Sequence, residues 1–162
     1  MKSKGMILAI TALLLLLCTG CGEDKELTRF KKDIDDFCTN ISTLDTAINS
    51  IDAESEYATQ ELLGYLDELD LEFQHLAEID FPAEFDYLED LAQESSDYMT
   101  EAVIYYHEAY SNQSYNENTA EYAHANYSRA YKRVQIIITF LHGEEPDDAD
   151  LSIEYEDKKR NS

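Results

Sequence analysis

The chain has 162 residues, of which 44% are hydrophobic and 29% charged, so it has the length of a single domain and is too apolar for a disordered protein. Five Gly and two Pro leave little material for loops, which favours long helices over an architecture of many turns. Asp and Glu number 35 against 12 Lys and Arg, and residues 33–128 contain no Lys or Arg, so nucleic acid is excluded as a partner and a basic protein or peptide is favoured.

The first twenty residues have the three parts of a secretory signal peptide. Lys2 and Lys4 supply a positive start, residues 6–17 form an apolar run, and small residues follow. As a helix this run covers about 18 Å, whereas the hydrocarbon core of a bilayer is about 30 Å thick. The pattern therefore predicts a signal peptide over residues 1–20 and not a permanent transmembrane helix.

Residues 17–22, Leu-Cys-Thr-Gly-Cys-Gly, resemble the lipobox of bacterial lipoproteins, in which a small residue precedes an invariant cysteine. Gly20 and Cys21 match that pattern. The resemblance implies cleavage before Cys21, lipidation of its sulfur, and a protein anchored to the cell membrane at the extracytoplasmic face. An ordinary secreted protein that is cut nearby is the alternative. Residues 21–24 would form a short tether that keeps the folded domain close to the bilayer.

Apolar residues recur with the period of a helix in the rest of the chain. In the first segment they step by three and four along Leu27, Phe30, Ile34, Phe37, Ile41, Leu44, Ile48 and Ile51. Three more segments repeat this spacing. We therefore expect an all-α fold, an up-down-up-down four-helix bundle over residues 25–143, with helices at about 25–51, 54–80, 82–111 and 117–142.

The boundary between the first two predicted helices is weakly marked. It contains neither Gly nor Pro, and the apolar phase nearly continues across it. A single long, bent first helix over residues 25–80, packed on a helical hairpin, is therefore the alternative fold. Residues 144–162 lack a sustained apolar period and are predicted to form a mobile acidic tail.

Two Glu-x-x-His pairs are candidates for metal binding: Glu72 with His75, and Glu121 with His124. Side chains three residues apart share one face of a helix, and di-iron helical bundles hold their metals with such pairs. In so acidic a chain this spacing also arises by chance, and the first helix offers no interior Glu to complete the site. We predict no metal and no cofactor, with a metal-binding bundle as the alternative.

Tyrosine is unusually abundant, with 12 Tyr and no Trp. Many of these residues fall on the third and fourth predicted helices: Tyr98, Tyr105, Tyr106, Tyr110, Tyr122, Tyr127 and Tyr131. Tyrosine offers large contact area with a polar tip and is enriched at binding surfaces. The alternative is that these rings only fill the core and cover the helix flanks.

The sequence contains no nucleophile in a glycine-rich turn, no phosphate-binding loop and no zinc-type spacing of Cys and His, so we predict that the protein is not an enzyme. The expected function is that of a membrane-anchored binding module for a basic protein or peptide. A bundle that oligomerises through leftover apolar surface is a further alternative. An acidic surface that only keeps the protein soluble would explain the charge without any partner.

Overall fold

The computed structural model describes residues 25–111 and 115–146, and within these residues the chain forms four α-helices and no strand. The helices are α1 (Lys25–Asn49), α2 (Ala58–Glu78), α3 (Glu89–Ser111) and α4 (Glu117–Leu141), with a 3₁₀ turn at Asp86–Leu88. The predicted all-α class and four-helix bundle are thereby confirmed. The predicted signal peptide, Cys21 and the tail from residue 147 onward lie outside the described residues.

Neighbouring helices run antiparallel, as side-chain hydrogen bonds between them show. For each pair of neighbours, the residue numbers of the bonded side chains rise along one helix as they fall along the next: Arg29–Asp80 and Asn40–Glu72, Asp67–His107 and Asp70–Thr100, Glu94–Arg133 and Glu101–Asn126. We call the half of the bundle that contains Lys25 the proximal half; it comprises residues 25–37, 69–100 and 129–146. The distal half comprises residues 38–68, 101–111 and 115–128.

The alternative of one long, bent first helix is wrong, because α1 and α2 are separate. After Asn49 the chain leaves the helix, and the Asp52 carboxylate accepts a hydrogen bond from the backbone N–H of Glu54 at 3.0 Å. The Ser55 hydroxyl accepts one from the N–H of Tyr57 at 3.1 Å. Short polar side chains thus satisfy backbone donors outside a helix, and α2 begins at residue 58, four residues later than predicted.

The link between α2 and α3 also differs from the prediction, which placed the start of the third helix at residue 82. The α-helix begins only at Glu89. Before it, the backbone N–H of Phe85 donates to the carbonyl of Pro82 at 2.7 Å. The rings of Phe81 and Phe85 pack on Phe30, with centroid distances of 5.0 and 5.5 Å. Burial of these two rings holds the link against α1, so it closes that end of the core instead of continuing a helix.

Side-chain size sets how closely the helices approach one another. The closest pair is α3 with α4, and half of the 16 buried residues in these two helices are Ala or Ser: Ala92, Ser95, Ser96, Ala102, Ala109, Ala120, Ala123 and Ala130. In contrast, α1 buries only bulky residues: Phe30, Ile34, Phe37 and Ile41. Since the distance between helix axes depends on the side chains at the contact, α1 stands farther from its neighbours. It meets α4 chiefly through long side chains.

Candidate functional site

Aromatic residues are segregated along the bundle. All six Phe lie in the proximal half, and four of them are buried: Phe30, Phe37, Phe73 and Phe81. Eight of the eleven Tyr in the described residues lie in the distal half: Tyr57, Tyr65, Tyr105, Tyr106, Tyr110, Tyr115, Tyr122 and Tyr127. None of these eight is fully buried. One half is therefore closed by apolar rings, and the other presents rings with a polar tip to solvent.

The Lys and Arg residues are segregated in the same way, whereas acidic residues lie in both halves, 16 of them in the proximal half. All seven Lys and Arg of the described residues lie in the proximal half: Lys25, Arg29, Lys31, Lys32, Arg129, Lys132 and Arg133. The distal half has none, and it carries 11 acidic residues: Asp45, Asp52, Glu54, Glu56, Glu61, Asp67, Glu68, Glu101, Glu108, Glu117 and Glu121. Summed charge of one sign raises the local concentration of counter-ions and of cationic partners.

A groove of about 480 Å³ opens in the distal half. Four tyrosines form its walls: Tyr106, Tyr110, Tyr115 and Tyr127. The floor is apolar and combines the end of α1, the start of α2 and a small residue of α4: Ile48, Leu62, Leu66 and Ala120. Its volume falls in the range of small-molecule and side-chain pockets, about 300–1,000 Å³.

The start of α4 fixes one wall of the groove. The side chain of Asn116 accepts a hydrogen bond from the N–H of Thr119 at 3.2 Å, which caps the helix. The backbone N–H of Asn116 donates to the carbonyl of Ala109 at 3.1 Å, so the cap is joined to the end of α3. The ring of Tyr115 is thereby placed beside that of Tyr110, with 5.2 Å between their centroids.

The inner wall is held by a carboxylate that two phenols share. The hydroxyls of Tyr127 and Tyr131 both donate to Oδ1 of Asp45, at 2.9 and 2.8 Å, and the two rings stack at 4.8 Å. Burial is the main cause that raises the pKa of each phenol far above its ordinary value, and the hydrogen bond and charge of Asp45 raise it further. For Tyr131, the hydrogen bond and charge of Tyr127 contribute more than Asp45 does. The phenols therefore stay protonated as donors, and they tie α4 to α1.

The structure does not bring the two Glu-x-x-His pairs together. Glu121 and His124 are exposed at the rim of the tyrosine groove. Glu72 and His75 line a separate cavity between α1 and α2, where Glu72 accepts a hydrogen bond from Asn40. Among residues 25–111 and 115–146 there is no group of three or more His, Cys, Asp or Glu side chains arranged to hold a metal ion.

An ion pair between α3 and α4 is buried, and this burial was not predicted from the sequence. Arg133 is 1% exposed, its Nε donates to Glu94 at 3.2 Å, and its guanidinium lies 5.0 Å from the centre of the Tyr98 ring. The available signal is the spacing of Asn126, Ala130, Arg133 and Ile137, which steps by four, three and four along one face. An Arg on such an apolar face indicates a buried pair.

No family model, no curated protein and no solved structure matches the chain. Among the described helices, none combines the length and the apolar character that crossing a bilayer requires. The chemistry of the groove and of the surrounding surface is therefore the guide to function.

Proposed function

We propose that this chain is a lipid-anchored extracytoplasmic protein that binds a basic protein or peptide without catalysing a reaction. The observation that carries the proposal is the distal half, which joins 11 acidic residues, no Lys or Arg, and eight partly or fully exposed tyrosines. Carboxylates attract and orient a cationic partner, and tyrosine rings supply contact area that does not depend on ionic strength.

The polarity of the bundle fits an anchor at Cys21. The tether would enter α1 at Lys25, so the proximal half would face the bilayer. With a rise of 1.5 Å per residue, Ile48 and the groove stand about 35 Å away along α1, where a partner outside the membrane has access.

The test is binding of an octalysine peptide to the mature, lipidated protein in phosphatidylcholine nanodiscs, measured by calorimetry. We expect saturable binding that weakens as salt rises from about 0.05 to 0.5 M, because part of the affinity is Coulombic and screened. Neutralising three distal carboxylates, with Glu61→Gln, Glu108→Gln and Glu121→Gln together, should weaken binding about tenfold, at roughly 0.5 kcal/mol for each charge.

The matched control removes the same charge from the proximal half, with Glu78→Gln, Glu84→Gln and Glu144→Gln together; these three residues are exposed. We expect the affinity of the proximal variant for octalysine to stay within about twofold of the wild type, since these charges lie in the other half of the bundle, far from the groove, and are screened. Equal weakening in both triple variants would show that the peptide is attracted diffusely to the whole acidic surface and that the distal half is not its binding site. Absence of binding to the wild type, with empty nanodiscs as reference, would contradict the proposal.

A further inference from the structure

The lining of the groove combines three kinds of surface, beside the exposed imidazole of His124. Its floor is aliphatic, its walls are the rings of four tyrosines, and one carboxylate, that of Glu121, lies at its rim. No Lys or Arg lies among its lining residues. A purely apolar ligand would leave the carboxylate and the phenol hydroxyls without a polar partner. A small hydrated cation would leave the aliphatic floor without an apolar contact.

An alkylammonium group complements all three surfaces at once. We propose that the groove binds the side chain of a lysine presented by the basic partner, an inference that rests on the proposed function. The methylene stem packs on the floor beside Leu62 and Leu66, and the ammonium lies against the ring faces and near Glu121. Attraction between a cation and an aromatic face strengthens where water is displaced, as it is inside a groove.

The hydroxyls of the wall suit an ammonium group. Burial raises the pKa of the Tyr106 and Tyr110 phenols, so both stay neutral and their oxygens can accept hydrogen bonds. An ammonium has three donors on one compact head, so it can donate to more than one of the phenol and carboxylate oxygens that line the groove. The shared Asp45 carboxylate adds to this, because a phenol that donates to an anion holds more electron density on its ring, and Tyr127 is such a phenol.

A guanidinium is a poorer match. Its planar fork of donors is best satisfied by a carboxylate in line with it, together with a flat ring face. The bundle itself shows this arrangement at Arg133, with Glu94 in hydrogen-bond contact and the Tyr98 ring beneath. The groove has its one carboxylate at the rim, outside the ring walls. The ligand proposed for the groove is therefore a lysine side chain and not an arginine side chain.

The experiment compares two variants in which leucine replaces tyrosine, so that apolar bulk is kept and the ring is lost. The groove variant carries two such substitutions and the control carries one. Tyr110→Leu with Tyr115→Leu changes the groove, and Tyr87→Leu is the control, since Tyr87 is as exposed as Tyr115 (55% against 56%) but lies in the proximal half. Calorimetry with octalysine in phosphatidylcholine nanodiscs should show about tenfold weaker binding for the groove variant and no change for the control. Tyr110→Phe with Tyr115→Phe, which keeps the rings, should lose about threefold.

Competition by small cations identifies the chemistry. Millimolar butylammonium should displace octalysine from the wild type, and propylguanidinium at the same concentration should not. Octalysine that binds the wild type and the groove variants equally would overturn the groove as the lysine site and leave the proposed function standing. Equal displacement by both small cations would overturn the preference for lysine. A wild type that does not bind octalysine contradicts the proposed function itself.

Discussion

The two halves of the bundle use aromatic residues for opposite purposes. In the proximal half, phenylalanines fill the space between bulky helices, and the ring of Phe73 packs on Phe37 at 5.5 Å and on Tyr131 at 5.4 Å. In the distal half, tyrosines replace them, and the rings line a groove or face solvent. The phenol hydroxyl makes the difference, because it can face water or a polar ligand at little cost, whereas an exposed phenylalanine gains nothing there.

The cations follow the same division, which indicates that the halves carry separate tasks. The proximal half buries an ion pair and holds every Lys and Arg of the described residues, seven cations among 16 acidic residues. The carboxylates of the distal half have no Lys or Arg on the same half, and Asp67 pairs with His107 at 2.7 Å. Stability is thus expected to depend mostly on the proximal half and binding on the distal half, and four variants test the interactions on which this expectation rests.

The largest effect on stability is expected from Phe73→Ala. Phe73 is fully buried and contacts rings from α1 and α4, so its removal leaves a cavity and should lower the free energy of unfolding by about 3–5 kcal/mol. Tyr57→Ala, a ring of the distal half that is 58% exposed, is the comparison and should change it by no more than about 0.5 kcal/mol. Urea unfolding of the mature protein measures both. Similar losses for the two variants would remove the distinction between the halves.

The second effect concerns the buried ion pair. Glu94→Ala leaves the guanidinium of Arg133 buried without its carboxylate and should cost about 3 kcal/mol, the low end for such pairs because the Glu94 side chain is 32% exposed. Asp80→Ala breaks the exposed pair with Arg29 and should cost less than about 1 kcal/mol. Thermal unfolding of both variants measures the two losses of stability. A loss for Asp80→Ala as large as that for Glu94→Ala would show that burial does not determine the energy of these pairs.

A third, smaller effect appears at alkaline pH. The folded-state pKa values of Tyr127 and Tyr131 are raised above the unfolded value of about 10, so the unfolded chain loses these protons first. The stability that both phenols contribute is therefore complete below pH 10 and declines as the pH rises above it. Tyr127→Phe with Tyr131→Phe should cost about 1 kcal/mol per hydrogen bond at pH 8 and should show a flatter decline in the urea midpoint from pH 9.5 to 11.

Tyr57→Phe is the control for the alkaline series, since it removes a phenol hydroxyl that is exposed. We expect it to follow the wild type at every pH. A double variant whose midpoint falls as steeply as that of the wild type would contradict the role of the shared Asp45 carboxylate.

The smallest effect on stability should come from the distal rim. Glu121 is exposed, so Glu121→Gln should change the free energy of unfolding by no more than about 0.5 kcal/mol. The same variant should bind octalysine about threefold more weakly, because it removes the one carboxylate of the groove. Calorimetry and urea unfolding on one preparation give both values. A loss of stability without a loss of affinity would contradict the assignment of Glu121 to binding and not to stability.

The fold could be predicted from the sequence to the level of helix number and direction. Unbroken apolar spacing identifies α1, and the fourth helix was expected at 117–142 and lies at Glu117–Leu141. The starts of α2 and α3 could not be placed. At α2 the hydrogen bonds of Asp52 and Ser55 compete with the helix, and at α3 the burial of Phe81 and Phe85 overrides it. Both are tertiary or side-chain effects that apolar periodicity does not contain.

The candidate site could be predicted only in part. The acidic surface and the tyrosines of the third and fourth helices were evident from composition, but the groove depends on how far α1 stands from α4, which follows from packing. The Glu-x-x-His spacing marks a shared helical face, yet it holds no information on whether two helices turn those faces toward each other. Glu72 and Glu121 therefore line different cavities.

The central claim is that the distal half is the binding end. Hydrogen exchange of the lipidated protein in phosphatidylcholine nanodiscs, with and without octalysine, locates the contact directly. The account predicts slower exchange at residues 58–68, 101–111 and 115–128, and unchanged exchange at residues 69–100 and 129–141. Slower exchange confined to the proximal residues, or none anywhere at a saturating peptide concentration, would contradict it.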